Sequence, residues 1–322
     1  MRLKAVILLS AVCVATALPA QPQPQPQRQP QLQPQQPGTS QGPVMVPVRR
    51  LRAPTPPPAA AGDIARVPMV LVDGIPVVTV TIGGRPYRFA IDTGATGHGR
   101  IKASVADAIG LAATGTMRAG DGSGAVQERR SYAPLALSLG DISFEGVALT
   151  EMGVYPGRFE GVDGILGRNL FGAHLLSIDY AAGEVRLSRE ALPPHAASYQ
   201  PGPGGMTVPL RIGDQTVPAM IDTGNTIAPL VLPTALAERL RSGAPRPAGR
   251  ARTAVSTVEM FEGDLAASVT LGAARLPITR FRYPALGEVA NLGSQAFASG
   301  RLVIDQVNNR IAFYPAAERA AR

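Results

Sequence analysis

The strongest constraint on this chain is that it contains one unit twice. Residues 167–187 lie over residues 293–313 at a constant offset, so Gly167, Phe171, Ile178 and Asp179 fall on Gly293, Phe297, Ile304 and Asp305. Upstream, a slightly longer offset places Ile82 and Gly83 on Ile212 and Gly213. The same offset places Ile91-Asp92-Thr93-Gly94 on Ile221-Asp222-Thr223-Gly224. The second copy is therefore a little shorter in its middle. Two like units on one chain pack about an approximate two-fold axis, much as an isologous dimer does.

Each copy reads mainly as strand. Residues 77–82 alternate and are β-branched, Gly83-Gly84 forms a two-residue turn, and 85–91 return; 207–212, Gly213-Asp214 and 215–221 repeat the pattern. Further hairpins begin at 135–139 and 267–271, each followed by glycine, and the closing pairs are 176–179 with 184–187 and 303–305 with 310–313. Ser104 and Thr234 coincide between the copies and are each placed to cap a short helix. Short, turn-punctuated strands, supported by 35 Gly and 31 Pro, predict an all-β protein of two barrel-like lobes related by a pseudo-two-fold, with any site between them. With no Trp and only 5% aromatics, Val, Ile, Leu and Ala must fill the cores.

The flanks set the domain plan. Arg2 and Lys4, an apolar run to about Leu18, and Ala15-Thr16-Ala17 or Ala20 as the cleavage point read as a signal peptide over 1–20. The run is shorter than the roughly 18–20 apolar residues that span a bilayer, so export to the periplasm or medium is expected, with no stable membrane insertion after cleavage. Residues 21–62 are Gln- and Pro-rich and cannot bury a core, so they read as a solvated tether, with a propeptide as the alternative. The N-terminal lobe then spans 63–195 and the C-terminal lobe 196–322.

Composition removes several chemistries. Cys13 is the only cysteine and lies in the leader, so the mature chain has no disulfide, thiolate nucleophile or thiolate metal ligand. His98, His174 and His195 are too scattered in sequence for a histidine metal site. The net charge is +8, but the basic residues are dispersed, with clusters only at 49–52, 129–130 and 239–252. No aromatic–basic interleaving accompanies them, so a solvated surface is favoured over nucleic-acid binding.

One Asp-Thr-Gly alone is a turn in which Asp bonds backbone amides. Two of them, each after a strand ending in Ile, at equivalent places of a duplication, bring two carboxylates face to face. Carboxylates about 3 Å apart cannot both ionise, so they share a proton and offer a base and an acid together. Amide hydrolysis by water needs both. Asp92 and Asp222 are the expected catalytic residues. Thr93 and Thr223 are expected to tie the loops together, while Gly94 and Gly224 let backbone approach the carboxylates. Ala95 and Asn225 follow them, Asn225 being expected to donate its amide beside Asp222 while Ala95 offers no donor beside Asp92.

These motifs resemble those of the pepsin-like and retroviral-type aspartic peptidases, especially the bacterial retropepsin-like group. The resemblance covers about 64–315. It rests on the two extended motifs 91–96 and 221–226 and on the later hydrophobic-hydrophobic-Gly, Ile165-Leu166-Gly167, matched by Asn291-Leu292-Gly293. It implies an endopeptidase acting on peptide or protein substrates with no metal or organic cofactor. Because both motifs sit on one chain, it implies a monomer. It also implies a hairpin flap, placed at 118–130 and tipped by Gly120, Asp121, Gly122, Ser123 and Gly124. Three departures stand out. Asn291 replaces a hydrophobic residue, Ala95 stands where pepsins carry a hydroxyl, and the flap holds no tyrosine, Tyr132 lying just past it. His98, close behind the first motif, reads as a solvated loop residue. The competing readings are a non-catalytic peptide-binding protein of the same fold and, more remotely, a two-carboxylate glycosidase.

Overall fold

The computed structural model describes residues 14–15, 65–120, 126–153, 159–202, 205–252, 257–284 and 290–316. Apart from Val14 and Ala15, the expected leader and tether lie outside the described residues, as do Asp121, Gly122, Ser123 and Gly124 of the expected flap tip.

The first copy runs β1 (Ala65–Val72), β2 (Ile75–Ile82), β3 (Arg85–Asp92), β4 (Gly99–Ile101), α1 (Ala103–Ala108), β5 (Ala113–Gly120), β6 (Val126–Tyr132), β7 (Leu135–Leu139), β8 (Ile142–Val147), β9 (Leu149–Glu151), β10 (Gly164–Gly167), β11 (Leu175–Asp179) and β12 (Glu184–Ser188). The second runs β13 (Gly205–Ile212), β14 (Gln215–Asp222), β15 (Leu230–Val231), α2 (Thr234–Leu240), β16 (Arg241–Arg252), β17 (Thr257–Leu265), β18 (Val269–Leu271), β19 (Ala274–Leu276), β20 (Arg280–Pro284), β21 (Ala290–Gly293), β22 (Gly300–Asp305) and β23 (Arg310–Pro315). The all-β architecture holds, and from β2 and β13 onward the two copies repeat each other element by element.

Local sequence explains the strands. Along β2, Val78, Val80 and Ile82 point inward while Thr79 and Thr81 face out, the period of two that one buried face demands. β2 turns into β3 through Gly83 and Gly84, both at positive φ (57° and 77°), the primed turn whose twist suits a hairpin. β3 starts exposed and ends in four buried residues, Phe89 to Asp92; β14 repeats this with Ala219 to Asp222. Each strand therefore dives from a surface hairpin into the interior and delivers its aspartate there.

Neither lobe closes into a barrel: the described strands form two open sheets. Nor does each lobe keep its own strands. β22 leaves the second copy and pairs antiparallel with β11 of the first, Leu176 opposite Ile304, Ser177 opposite Val303 and Ile178 opposite Leu302. β12 then pairs with β1, and β23 with β22. A central sheet thus joins the two halves, and one apolar cluster runs through both, including Phe171, Ile178, Phe297 and Leu302.

The two helices form where expected, but Ser104 and Thr234 do not cap them. The N-caps are Lys102 and Pro233, with no side-chain cap bond. Ser104 lies within α1, and Thr234, the first residue of α2, donates its hydroxyl to the Pro284 carbonyl at 2.8 Å. That long-range bond outcompetes the local one.

Candidate active site

The register of two parallel strand pairs builds the site. β3 lies beside β10 with Asp92 opposite Gly167, and β14 beside β21 with Asp222 opposite Gly293. The chain after each aspartate loops back across its neighbour strand. A Cβ on Gly167 would stand 2.5 Å from the Gly97 carbonyl oxygen, and one on Gly293 2.5 Å from that of Ala228. The hydrophobic-hydrophobic-Gly signature therefore ends in glycine because backbone passes over it.

The two Asp-Thr-Gly loops interlock. The Thr93 amide donates to Thr223 Oγ1 and the Thr223 amide to Thr93 Oγ1, both at 3.0 Å. Each hydroxyl then donates across the interface, Thr93 to the Ile221 carbonyl at 3.0 Å and Thr223 to that of Ile91 at 2.7 Å. All four bonds are buried, so each threonine satisfies backbone groups of the opposite half. The glycines cross over in the same way. A Cβ on Gly94 would lie 2.6 Å from Asp222 Cγ, and one on Gly224 2.4 Å from Asp92 Cγ. Each carboxylate thus rests against the bare glycine of the other loop, and both aspartates are fully buried.

A family model for aspartyl proteases matches residues 78–170 and 208–286, one segment in each copy and together more than half of the chain. The chain belongs to the aspartyl protease family. No curated protein matches it.

Within this aspartyl protease the two carboxylates differ. Asp92 Oδ1 accepts from the Ala95 amide at 3.0 Å, while its buried Oδ2 has no hydrogen-bond partner among the described residues. Asp222 Oδ1 accepts from the Gly224 amide at 3.1 Å, and its Oδ2 from Asn291 Nδ2 at 3.2 Å. The expected donation from Asn225 to Asp222 is not made. Asn225 Nδ2 donates instead to Asn291 Oδ1 at 2.8 Å, so Asn291 stands between them. Asn225 is turned that way because its Oδ1 is held by the Ile227 amide at 2.9 Å.

Arg168, directly after Gly167, escaped the sequence reading. It is buried, and it donates to the Gly202 carbonyl at 3.0 Å and to the Thr93 carbonyl at 3.5 Å. Burial pulls its proton affinity below the ordinary guanidinium value, while Asp92 is the foremost charge opposing that fall. An Arg stays charged even so. A cation after a hydrophobic-hydrophobic-Gly run was the available signal. Tyr180 accepts from Ser294 Oγ at 2.9 Å, and burial pushes its phenol up, so it is neutral.

His98 is buried, not solvated. Its Nδ1 accepts from the Ala148 amide at 3.1 Å, and its carbonyl from the Gly167 amide at 2.9 Å, which pins the loop behind the first aspartate. Among the described residues, no three His, Cys, Asp or Glu side chains group as a metal site would need.

The expected flap region is a hairpin, β5 paired with β6 from Ala113 opposite Tyr132 to Gly120 opposite Val126. Tyr132, at its base, is buried. The second copy carries an equivalent and longer hairpin, β16 with β17. Its Arg246 makes a two-pronged contact with Asp264 at 2.6 and 2.8 Å and reaches Glu262 at 3.2 Å. In the first copy Arg130 contacts Glu151 at 2.9 Å and Asp107 at 3.4 Å.

Proposed function

We propose that this protein is an exported, monomeric endopeptidase in which Asp92 and Asp222 share one proton and activate a water held between them. The observation that supports this best is the reciprocal seating of each carboxylate on the other loop's glycine, inside a cage of four threonine hydrogen bonds. That cage holds two acids close together, and one proton between two close acids is their low-energy state.

The chemistry then follows. The ionised carboxylate takes a proton from the water as its oxygen attacks the scissile carbonyl carbon. The protonated carboxyl gives its proton to the carbonyl oxygen. The resulting diol collapses as the newly protonated carboxyl gives its proton to the amide nitrogen, the other carboxylate takes a proton from a diol hydroxyl and the C–N bond breaks, returning the pair to one shared proton. Thr93, Gly94, Thr223 and Gly224 hold the geometry. The β5–β6 hairpin, tipped by Gly120 to Gly124, is the segment proposed to close over the peptide. The leader directs export, and the tether of residues 21–62 links it to the lobes. Among the described residues, no helix is long and apolar enough to cross a membrane.

Cleavage-site mapping on a peptide library, with wild type, Asp92→Asn and Asp222→Asn, tests the reading. Wild type should cut internal bonds and be blocked by a statine-type transition-state mimic, and each variant should keep less than about a hundredth of the rate. Peptide binding without cleavage would favour the non-catalytic alternative. Cleavage retained in both variants would remove the pair from the mechanism.

A further inference from the structure

The two halves of the site differ at two matched positions. Where the first copy has Ala95 and Ile165, the second has Asn225 and Asn291. Ile165 and Asn291 occupy the same register, opposite Ala90 and Met220 on the strands that deliver the aspartates. Ile165 packs in an apolar group with Val77, Ala90 and Ala95. Asn291 is also buried, at 6% exposure, but is tied into a polar chain.

That chain has a direction. The Ile227 amide can only donate, so the Asn225 oxygen faces it. Asn225 must then present its NH2 to Asn291 Oδ1, and Asn291 must present its NH2 to Asp222 Oδ2. With Gly224 donating to Oδ1, both oxygens of Asp222 are acceptors. A carboxyl that receives on both oxygens is held in its ionised form. Asp92 receives one bond on Oδ1, and its buried Oδ2 meets no donor or acceptor among the described residues. Such an atom is costly unless it carries a proton or meets a ligand.

We infer that Asn291 is a positioning residue that keeps Asp222 ionised and leaves the shared proton on Asp92 Oδ2. This rests on reading the pair as a proton-sharing dyad. It makes Asp222 the base toward water and Asp92 the acid toward the carbonyl. Of the other groups facing the pair, Arg168 has Asp92 as its largest charge partner and so acts in the opposite sense, but without the direct hydrogen bond that Asn291 makes to Asp222. Arg168 lies behind Thr93 and is influenced by Asp92, Tyr199 and Asp222, while Tyr180 is neutral on the Ser294 side.

Two variants test it. Asn291→Leu removes the donor to Asp222. Asn225→Ala combined with Asn291→Ile copies the first half's pair into the second and leaves no side-chain amide orphaned, at the cost of the Ile227 amide's acceptor. With the donor gone, ionised Asp222 is less favoured and the doubly protonated pair survives to higher pH. The rising acidic limb of kcat/KM should move up by about one pH unit, the scale set by a hydrogen bond to a charged group. A ¹³Cγ-aspartate NMR titration reads the same step without turnover, as one macroscopic value of the pair. An upward move of that step in either variant, at a near-native thermal midpoint, supports the inference. An unmoved or downward step overturns it, whatever the kinetics show. If the wild type cleaves no peptide yet the step moves up, the peptidase reading fails and the role of Asn291 stands.

Discussion

At Gly94 and Gly224 the packing leaves no room for a single carbon. An added Cβ would stand 2.6 Å from Asp222 Cγ or 2.4 Å from Asp92 Cγ, well inside contact distance, and both carboxylates are fixed by backbone amides. Gly94→Ala and Gly224→Ala should each displace the opposite aspartate by a fraction of an ångström or more. Activity should fall by about 100-fold, the scale of a 1 Å misplacement in a reacting pair, with a loss of about 1–3 kcal/mol from overpacking. Steady-state rates and thermal melts would check both; an alanine variant with wild-type kcat would mean the loops separate more freely than their interlock implies. At this scale the aspartates and threonines were legible because identity and duplication reinforce each other. Asn291 was visible only as a polar residue in an apolar slot. Its meaning depends on Asn225, 66 residues away, and no local pattern shows that contact.

Among the elements, the hairpin of β2 and β3 was readable because its turn residues and its alternating valines agree. The hairpin of β16 and β17 was not. The segment Arg241–Arg252 reads RSGAPRPAGRAR, rich in the Pro and Gly that strands avoid, and it looks like a basic loop. Cross-strand pairing and the contacts of Arg246 with Asp264 and Glu262 hold it instead, and these are tertiary facts. The open sheets were misread as barrels for a related reason: a strand that crosses to the other half looks like any other strand. Where β1 meets β12, Arg66 contacts Glu184 at 2.6 Å and Arg186 joins from the next position but one, at 2.7 Å. The hydrogen bond from Arg66 foremost holds the Glu184 carboxyl below the usual glutamate range. A depressed acid stabilises the fold above its unfolded value, and that contribution is lost as pH falls through the folded value. Glu184→Gln should therefore melt slightly lower than wild type at pH 7, by a few degrees at most for a partly exposed pair. The gap between the two melting curves should begin to narrow near about pH 4, around the unfolded value, and close once pH has passed below the lower folded value. A gap that persists in acid would mean the side chain acts through packing and not charge.

For the whole molecule, one chain supplies both loops, and the central sheet locks its halves together. The specific activity of the purified protein should be independent of dilution, and sedimentation should give the mass of one chain. A two-chain enzyme would lose activity on dilution, and that outcome would contradict the self-sufficient site. The sheet also imposes an order in time. β11 pairs with β12 on one edge, but on the other it meets β22, Gly300–Asp305, which is made more than a hundred residues later. A polypeptide still on the ribosome exposes Asp92 long before Gly224 exists to seat it, and Asp222 long before β22 clamps the halves. Translation therefore assembles the pair in a fixed order: the two aspartates cannot be seated on each other's loops until the second loop has been made, nor clamped until the joining strand follows it.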